Sequence, residues 1–190
     1  MTFLNNLKKK QADYLLRIAS GLIMQIFLRQ YELDVRLSFK RYTLFFLFLR
    51  NHSLTRYRML TDLIVYDTPG ELNRFTLVYC LLSEKFNTRL RVQFQLSELD
   101  SIRSLSNIYK NANWLEREAW DFFGIFFIGH RDLRRILTDY GFSGHAFRKD
   151  FPLTGFTEIY YSDYYKRIIH CPSVLVQEYR NFDFENSWSY

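Results

Sequence analysis

The residue types with the most chemical potential concentrate between Asn111 and Phe156, where charged and aromatic side chains alternate between glycines. Four charged residues lie close together in this stretch: Glu116, Arg117, Glu118 and Asp121. Paired carboxylates can perform general acid–base chemistry, but helical spacing would point Glu116 and Glu118 to nearly opposite sides. No histidine or cysteine lies close in sequence to complete a nucleophile–base arrangement. The spacing therefore argues against a catalytic pair here.

The same stretch predicts a short helix from Trp114 to Phe123. The residues that recur at i, i+4 and i+7, and so form one apolar helix face, are Leu115, Ala119 and Phe122. Asn113 and Glu116 have the spacing of a capping box, in which each side chain bonds a free backbone N–H group of the first turn. Gly124 follows where the end of a helix favours a left-handed residue. We expect the four charges to surround the apolar stripe.

The charges on this helix have a simple structural interpretation. Arg117 and Asp121 are four residues apart and can pair on an exposed face, which is worth roughly 0.3–0.5 kcal/mol. Carboxylates on a surface helix are commonly solvated. From spacing alone, this interpretation stays open beside any functional one.

The order of these residues resembles a known family. The run from Glu116 to Ile125 looks like the E-R-E-x-x-D-x-x-G signature of the subunit 9 family of respiratory NADH dehydrogenase, or complex I. Two further segments, Gly129 to Phe142 and Arg148 to Leu153, are similar to the same family in the same order and at the same spacing. The Gly129 segment is more similar to mitochondrial and bacterial versions than to the chloroplast relative. The sequence departs from the family pattern at Ala146, where a proline is usual, and at Asn186–Ser187.

The resemblance implies a subunit of the ion-translocating NADH:ubiquinone oxidoreductase that has no catalytic centre and no cofactor of its own. Flavin and iron–sulfur clusters are expected in partner subunits. In the family, the chain packs chiefly on the large subunit that helps to form the quinone site, and it supports assembly of the peripheral arm. The motif and interface positions that this implies are Glu116, Arg117, Glu118, Asp121, Gly124, His130, Arg131, Asp132, Arg134, Arg135, Arg148, Lys149 and Asp150.

The charge distribution leaves a different class of function open. Residues 1–60 hold 11 Lys and Arg against 3 Asp and Glu, a net +8, while residues 61–190 hold 15 against 17, a net −2. A basic N-terminal third suits an acidic protein, an anionic membrane surface or nucleic acid. The alternative function is therefore a basic nucleic-acid-binding or ribosomal protein, although no recognisable RNA-binding motif is present.

Other chemistry has little support. Cys80 and Cys171 are far apart, and two cysteines are too few for an iron–sulfur cluster. A zinc site could be written from His130, His145, His170 and Cys171, but no pair of them has the usual ligand spacing. The glycine-rich loops that cradle phosphates are absent from the sequence. A standalone hydrolase using the helix carboxylates and a histidine is the remaining enzyme alternative.

The hydrophobic pattern predicts an α+β two-layer sandwich, in which helices cover a mostly antiparallel or mixed four-stranded sheet. The predicted strands are 31–37, 60–66, 74–82 and 89–96, and the predicted helices are 3–29, 43–50, a segment from Ser97 or Asp100 to Tyr109, 114–123 and two turns in 131–137. The most apolar stretch, Ile18 to Leu28, is shorter than the ~20 residues of a membrane-spanning helix. We expect no transmembrane segment.

The domain organisation follows from where glycine and proline become frequent. Residues 1–140 are predicted to form the α+β domain, and 141–190 an extended arm that docks on partner subunits and contains a hairpin of 158–161 with 166–170. The N-terminus has neither a signal-peptide core nor the character of a cleaved transit peptide. With the family resemblance, this predicts an organelle-encoded protein on the matrix side of the mitochondrial inner membrane, held there through the complex.

Overall fold

The computed structural model describes residues 2–29, 32–175, 177, 179–182 and 188, without the side chains of 2–8 and 40. Asn186 and Ser187, and most of the predicted aromatic tail, lie outside these ranges. The chain forms two compact units, Met1–Phe151 and Pro152–Tyr190. The predicted boundary after residue 140 falls inside the first unit.

The first unit is built on a mixed five-stranded sheet. Its strands are β1 (Ile23–Leu28), β2 (Leu33–Leu37), β3 (Met59–Asp67), β4 (Phe75–Ser83) and β5 (Thr88–Leu96), in the order β1-β2-β5-β4-β3. β2 runs parallel to β5, and the other neighbours are antiparallel. β5 forms because its apolar residues alternate with polar ones, so one face is buried. The α+β class and the β4–β5 hairpin are confirmed, while the predicted strand count of four is too low.

The additional strand comes from a segment predicted as helix. Helix α1 (Thr2–Ala19) ends before Gly21, and the chain turns back as β1, which pairs antiparallel with β2. The prediction of one helix over 3–29 is therefore wrong after Ala19. Apolar residues at Leu22 and Ile26 have helical spacing, but pairing with β2 satisfies the backbone of this segment instead.

Three helices cover one face of the sheet. Besides α1, they are α2 (Tyr42–Asn51), preceded by a short 3-10 turn, and α3 (Ala112–Phe123). The buried core spans Ala12 to Phe127 and is rich in aromatic side chains. Phe46 of α2 packs edge-on against Tyr79 of β4, with ring centroids 5.0 Å apart. None of the helices in the described part of the chain is long and apolar enough to cross a membrane.

Two predicted helices are not formed. Between Ser97 and Tyr109, the chain makes turns around a two-residue strand, β6 (Ile102–Arg103), which pairs in parallel with β7 (Phe127–Ile128). The Asp100 carboxylate accepts a hydrogen bond from the Ser97 N–H group at 3.0 Å, so it closes a turn rather than capping a helix. Residues 131–137 have no helical structure.

The second unit contains the predicted hairpin. Strand β8 (Thr157–Ser162) pairs antiparallel with β9 (Arg167–Pro172), and most of its side chains are exposed. An isolated two-stranded hairpin buries too little apolar area to be stable by itself in water.

Candidate functional site

The charged residues of α3 point inward rather than around an exposed apolar stripe. Glu116 and Asp121 have 0% exposed surface and Arg117 has 8%, while Glu118 alone is exposed. The predicted arrangement of four outward charges is therefore wrong for three of them. Burial of a charge is costly unless it is paired or hydrogen-bonded, so each of these groups must have built partners.

Glu116 is bonded to the turn after β6. Its carboxylate accepts hydrogen bonds from the Ser104 hydroxyl at 2.5 Å and from the Leu105 N–H group at 2.7 Å. The predicted capping box is wrong, because α3 begins after Asn111 and Glu116 faces the core instead of the helix N-terminus. Burial raises the pKa of Glu116 to about 7, although the two hydrogen bonds act in the opposite direction.

His130 forms hydrogen bonds at the start of the irregular segment that follows β7. Its Nε2 lies 3.2 Å from the Asn113 carbonyl oxygen and 3.9 Å from a Glu116 carboxylate oxygen. Its Nδ1 accepts the Asp132 N–H group at 3.1 Å. Because Nδ1 accepts a hydrogen bond and a carbonyl oxygen faces Nε2, Nε2 is the donor of this ring. His130 is thus a hydrogen-bonded loop residue.

Asp121 organises the backbone that follows. One of its oxygens accepts three N–H groups, from Ile136 at 3.2 Å, Leu137 at 2.8 Å and Thr138 at 3.0 Å. The other accepts the Thr138 hydroxyl at 2.6 Å. Burial alone would raise the pKa of Asp121, but these hydrogen bonds outweigh it and hold the pKa below its usual value. These N–H groups converge on one carboxylate, which explains why 131–137 is not helical.

Arg135 and His145 tie the next turn to α3. Arg135 Nη1 lies 3.4 Å from the Asp121 carboxylate, and its Nη2 donates to the Gly144 carbonyl at 2.8 Å. His145 Nδ1 donates to the Asp121 backbone carbonyl at 3.0 Å. Burial lowers the pKa of His145, and the nearby Arg148 and Arg135 charges lower it further, while the hydrogen bond to the Asp121 carbonyl acts in the opposite direction.

Gly124 allows a close approach at the end of α3. Its φ of 76° is left-handed, as predicted, and a Cβ atom there would lie 2.5 Å from His145 Nε2. Arg148 passes the same point, where its Nε donates to the Phe123 carbonyl at 2.7 Å and its Nη1 pairs with Glu98 at 2.6 Å. The glycine thus serves both the backbone turn and the packing of two side chains.

A second anchor lies where β3 ends and β4 begins. Arg74 contacts both oxygens of Asp67 at 2.7 Å and also pairs with Asp150 at 2.9 Å. The Lys149 N–H group donates to Asp67 at 2.8 Å. The hydrogen-bonded Arg74 guanidinium holds the pKa of Asp67 below its usual value, although burial opposes this shift. The sequence does not single out Arg74, Asp67 and Glu98, because no local pattern connects them with residues so far along the chain.

Residues 129–151, here called the anchored segment, therefore follow an irregular path that inward contacts hold in place. The outer side of the segment carries both charged and apolar side chains. Among the charged ones, Arg131 and Lys149 are exposed. Asp132 pairs with Arg134 at 3.0 Å, and both side chains are more than half exposed. Arg117 supports this side from beneath, since its Nε donates to the Arg134 carbonyl at 3.1 Å. Among the predicted interface residues, some lie inward and anchor the segment, namely Glu116, Arg117 and Asp121. Others are exposed, namely Arg131, Asp132, Arg134 and Lys149.

The carboxylates of α3 do not form an exposed pair. Glu116 and Asp121 have no exposed surface, and Glu118 stands apart from them, so the hydrolase alternative lacks an accessible carboxylate pair. Among the described residues, no group of His, Cys, Asp and Glu is placed to hold a metal ion. What the arrangement can do is present a rigid surface of fixed shape and charge.

A family model described as the 30 kDa subunit of respiratory-chain NADH dehydrogenase matches residues 35–157. The match covers most of the sheet, α2, α3 and the whole anchored segment. The chain belongs to this family. It is thus a subunit of complex I, and the nucleic-acid-binding alternative is set aside.

Relatives match between about three quarters and nine tenths of the chain. An NADH-quinone oxidoreductase subunit of Rhizobium rhizogenes is 44% identical over 93% of this chain and 88% of its own length. NADH dehydrogenase [ubiquinone] iron-sulfur protein 3 of Arabidopsis thaliana is 49% identical over 74% of each chain. The family resemblance seen in the E-R-E motif is confirmed by these relatives.

Solved structures share the fold. A trypsin-resistant fragment (1–134) of Nqo5 is 26% identical, with a TM-score of 0.55 over 66% of this chain and 99% of the fragment. A chain of the membrane-bound sulfane sulfur reductase, an archaeal respiratory membrane complex, has a TM-score of 0.67 at 21% identity, over 76% of this chain and 85% of its own. The second likeness concerns the fold alone.

Proposed function

We propose that this chain is an assembly subunit in the peripheral arm of complex I, where the anchored segment docks on partner subunits, chiefly the large subunit that helps to form the quinone site. The observation that carries the proposal is the division of charges between the two sides of the segment. Its inward groups fix the backbone, while exposed arginine and aromatic side chains remain outside. Arginine, tyrosine and tryptophan are the residues that dominate the binding energy of protein interfaces.

Exposed apolar side chains support a protein interface at the anchored segment. Leu137 is 57% exposed, Phe147 is 55% exposed, and Tyr140 is fully exposed. Ordering an irregular segment has a large entropic cost, and contacts with Asp121 and Arg117 of α3 offset that cost. A surface ordered in advance binds a partner with less further loss of entropy, which favours stable assembly.

The second unit supports the same function through its composition. Its hairpin exposes large side chains that a free chain in water would normally bury: Ile159, Tyr160, Tyr161, Tyr164, Tyr165 and Ile168. Large exposed apolar patches commonly mark interaction sites. The arm is therefore proposed to dock on partner subunits.

The electron carriers of complex I are proposed to lie in other subunits. The two cysteines, Cys80 and Cys171, are free and cannot supply the ligands of an iron–sulfur cluster. Although the plant relatives are named iron-sulfur protein 3, this chain is proposed to hold no cluster of its own. With the complex, the chain is proposed to lie on the matrix side of the mitochondrial inner membrane and to be encoded in the organelle.

The direct test is the size of the native particle that contains this chain. Host membranes are solubilised in mild detergent, separated on a native gel, stained for NADH oxidation and probed for the chain. We expect the chain to migrate with a very large NADH-oxidising band. A chain found free, or in a nuclease-sensitive particle, would overturn the proposal.

A further inference from the structure

A groove between the end of α1 and the start of α2 has no role in the function described above. It has a volume of about 380 Å³ and is lined by Ile18 and Leu22 on one side and by Leu44 and Phe48 on the other. Ile18 is 51% exposed and Leu44 is 62% exposed. Leu47, one turn along α2 from Leu44, is also exposed and extends the apolar surface beyond the groove.

The rim of this groove is basic and lacks carboxylate partners. Arg41 lines the groove, and Arg17 is exposed in the last turn of α1. The first 60 residues contain only three acidic side chains. Glu32 and Asp34 pair with Arg91, and Asp34 also pairs with Arg29. The third, Asp13, lies one turn before Arg17 on α1, but within the described part of the chain the two form no ion pair. Within the described part of the chain, neither Arg17 nor Arg41 forms an ion pair. The positive charge at the rim is therefore available to an acidic partner.

We propose that this groove binds an amphipathic helix with acidic flanks from another subunit of the complex. The residues that line the groove belong to the two helices, the turn at Gly21 and Leu22 and the 3-10 turn, and none of them belongs to a strand, so an extended peptide would find no sheet edge to pair with there. A helix needs none, and can insert apolar side chains at i, i+3 or i+4 and i+7 beside Leu44 and Phe48. Its carboxylates would meet Arg17 and Arg41.

The shape of the groove favours a protein over a lipid surface. Helices that lie on a membrane present a convex apolar face flanked by basic residues. Here the apolar residues Leu22 and Phe48 line a concave groove, which a flat bilayer surface cannot fill, whereas the ridge of a helix can. The apolar lining likewise disfavours nucleic acid, which would require basic groups along the groove itself.

The test uses the full chain in the assembled complex, with a photo-crosslinking phenylalanine analogue in place of Leu44. The matched control carries the same analogue at Leu72, which is 94% exposed in the turn between β3 and β4. We expect a cross-link from position 44, but not from 72, to an acidic helical segment of another subunit. An added Arg41→Glu substitution should lower the yield at position 44 by about tenfold or more, because like charges would then meet at the rim.

Each other outcome would overturn the inference. These outcomes are adducts with lipid, with RNA, with a second copy of this chain or with a basic or extended segment, and the absence of any adduct from position 44. The assembled complex is first identified by its NADH-oxidising band. Failure of the chain to enter that band would contradict the proposed assembly function, whereas normal assembly without the cross-link would contradict only the groove.

Discussion

Glu116 shows how far the environment of one side chain can depart from what its spacing suggests. Spacing predicts a capping carboxylate, yet the group lies with no exposed surface between Ser104 and Leu105, close to His130. Its contacts are local in space but distant in sequence. Asp121 behaves similarly, since its partners at 136–138 could not be read from the helix that carries it.

The raised pKa of Glu116 predicts a pH dependence of stability. The pKa rises from 4.5 to about 7 on folding, so between these values the folded chain holds a proton that the unfolded chain has released. The contribution of Glu116 to the free energy of unfolding must therefore decrease as the pH rises through this window, and become constant above it. We expect Glu116→Gln to remove this contribution.

Urea unfolding of the purified chain near both ends of the window would measure the effect. Glu118→Gln is the matched control, because Glu118 is exposed on the same helix and should leave the pH dependence as in the parent. An unchanged pH dependence in Glu116→Gln would show that the buried carboxyl group does not bind the extra proton.

At the scale of elements, the junction after α3 depends on Gly124. Both Gly124 and Gly129 have positive φ, at 76° and 79°, but a Cβ atom meets His145 and Arg148 only at Gly124. Each substitution by alanine should cost ~1–2 kcal/mol for the left-handed backbone. Gly124→Ala should cost a further ~1–3 kcal/mol, because His145 and Arg148 are held by hydrogen bonds and cannot move freely.

Free energies of unfolding for the two alanine variants measure this difference. Gly129→Ala is the control for backbone strain, since open space surrounds its Cβ position. Equal losses in the two variants would mean that His145 and Arg148 do not pack closely against the end of α3.

The sequence predicts an element correctly where the contacts of that element in the fold agree with its local hydrophobic pattern. β3, β4 and β5 alternate or run continuously apolar because one sheet face is buried along their full length. The failures at β1 and at 131–137 share a cause: backbone partners distant in sequence, β2 and Asp121, override local helical spacing. The charged motif was found by resemblance, whereas Arg74, Asp67 and Glu98 carry no local signal at all.

At the scale of the whole molecule, the core and the arm have separate tasks. Among the residues that the structure describes, the buried core spans Ala12 to Phe127 and includes none from the unit that begins at Pro152. We predict that a chain ending at Phe151 keeps the urea unfolding midpoint of the full chain. The same chain should be lost from the NADH-oxidising band on native gels, because the arm would be missing from the interface. Retention at parental levels would contradict a docking role for residues 152–190.

Arg135 separates the assembly function from electron transfer, because it bonds Asp121, Thr138 and Gly144 and so holds the anchored segment in place. The measurement is the amount of assembled complex, together with NADH:quinone reductase activity per complex, in Arg135→Ala and in Arg89→Ala, an exposed arginine of β5 that serves as control. We predict that Arg135→Ala lowers the assembled amount several-fold, as a loss of ~1–2 kcal/mol commonly does, with an unchanged rate per complex. A normal amount of complex with a slower rate per complex would contradict the assembly function.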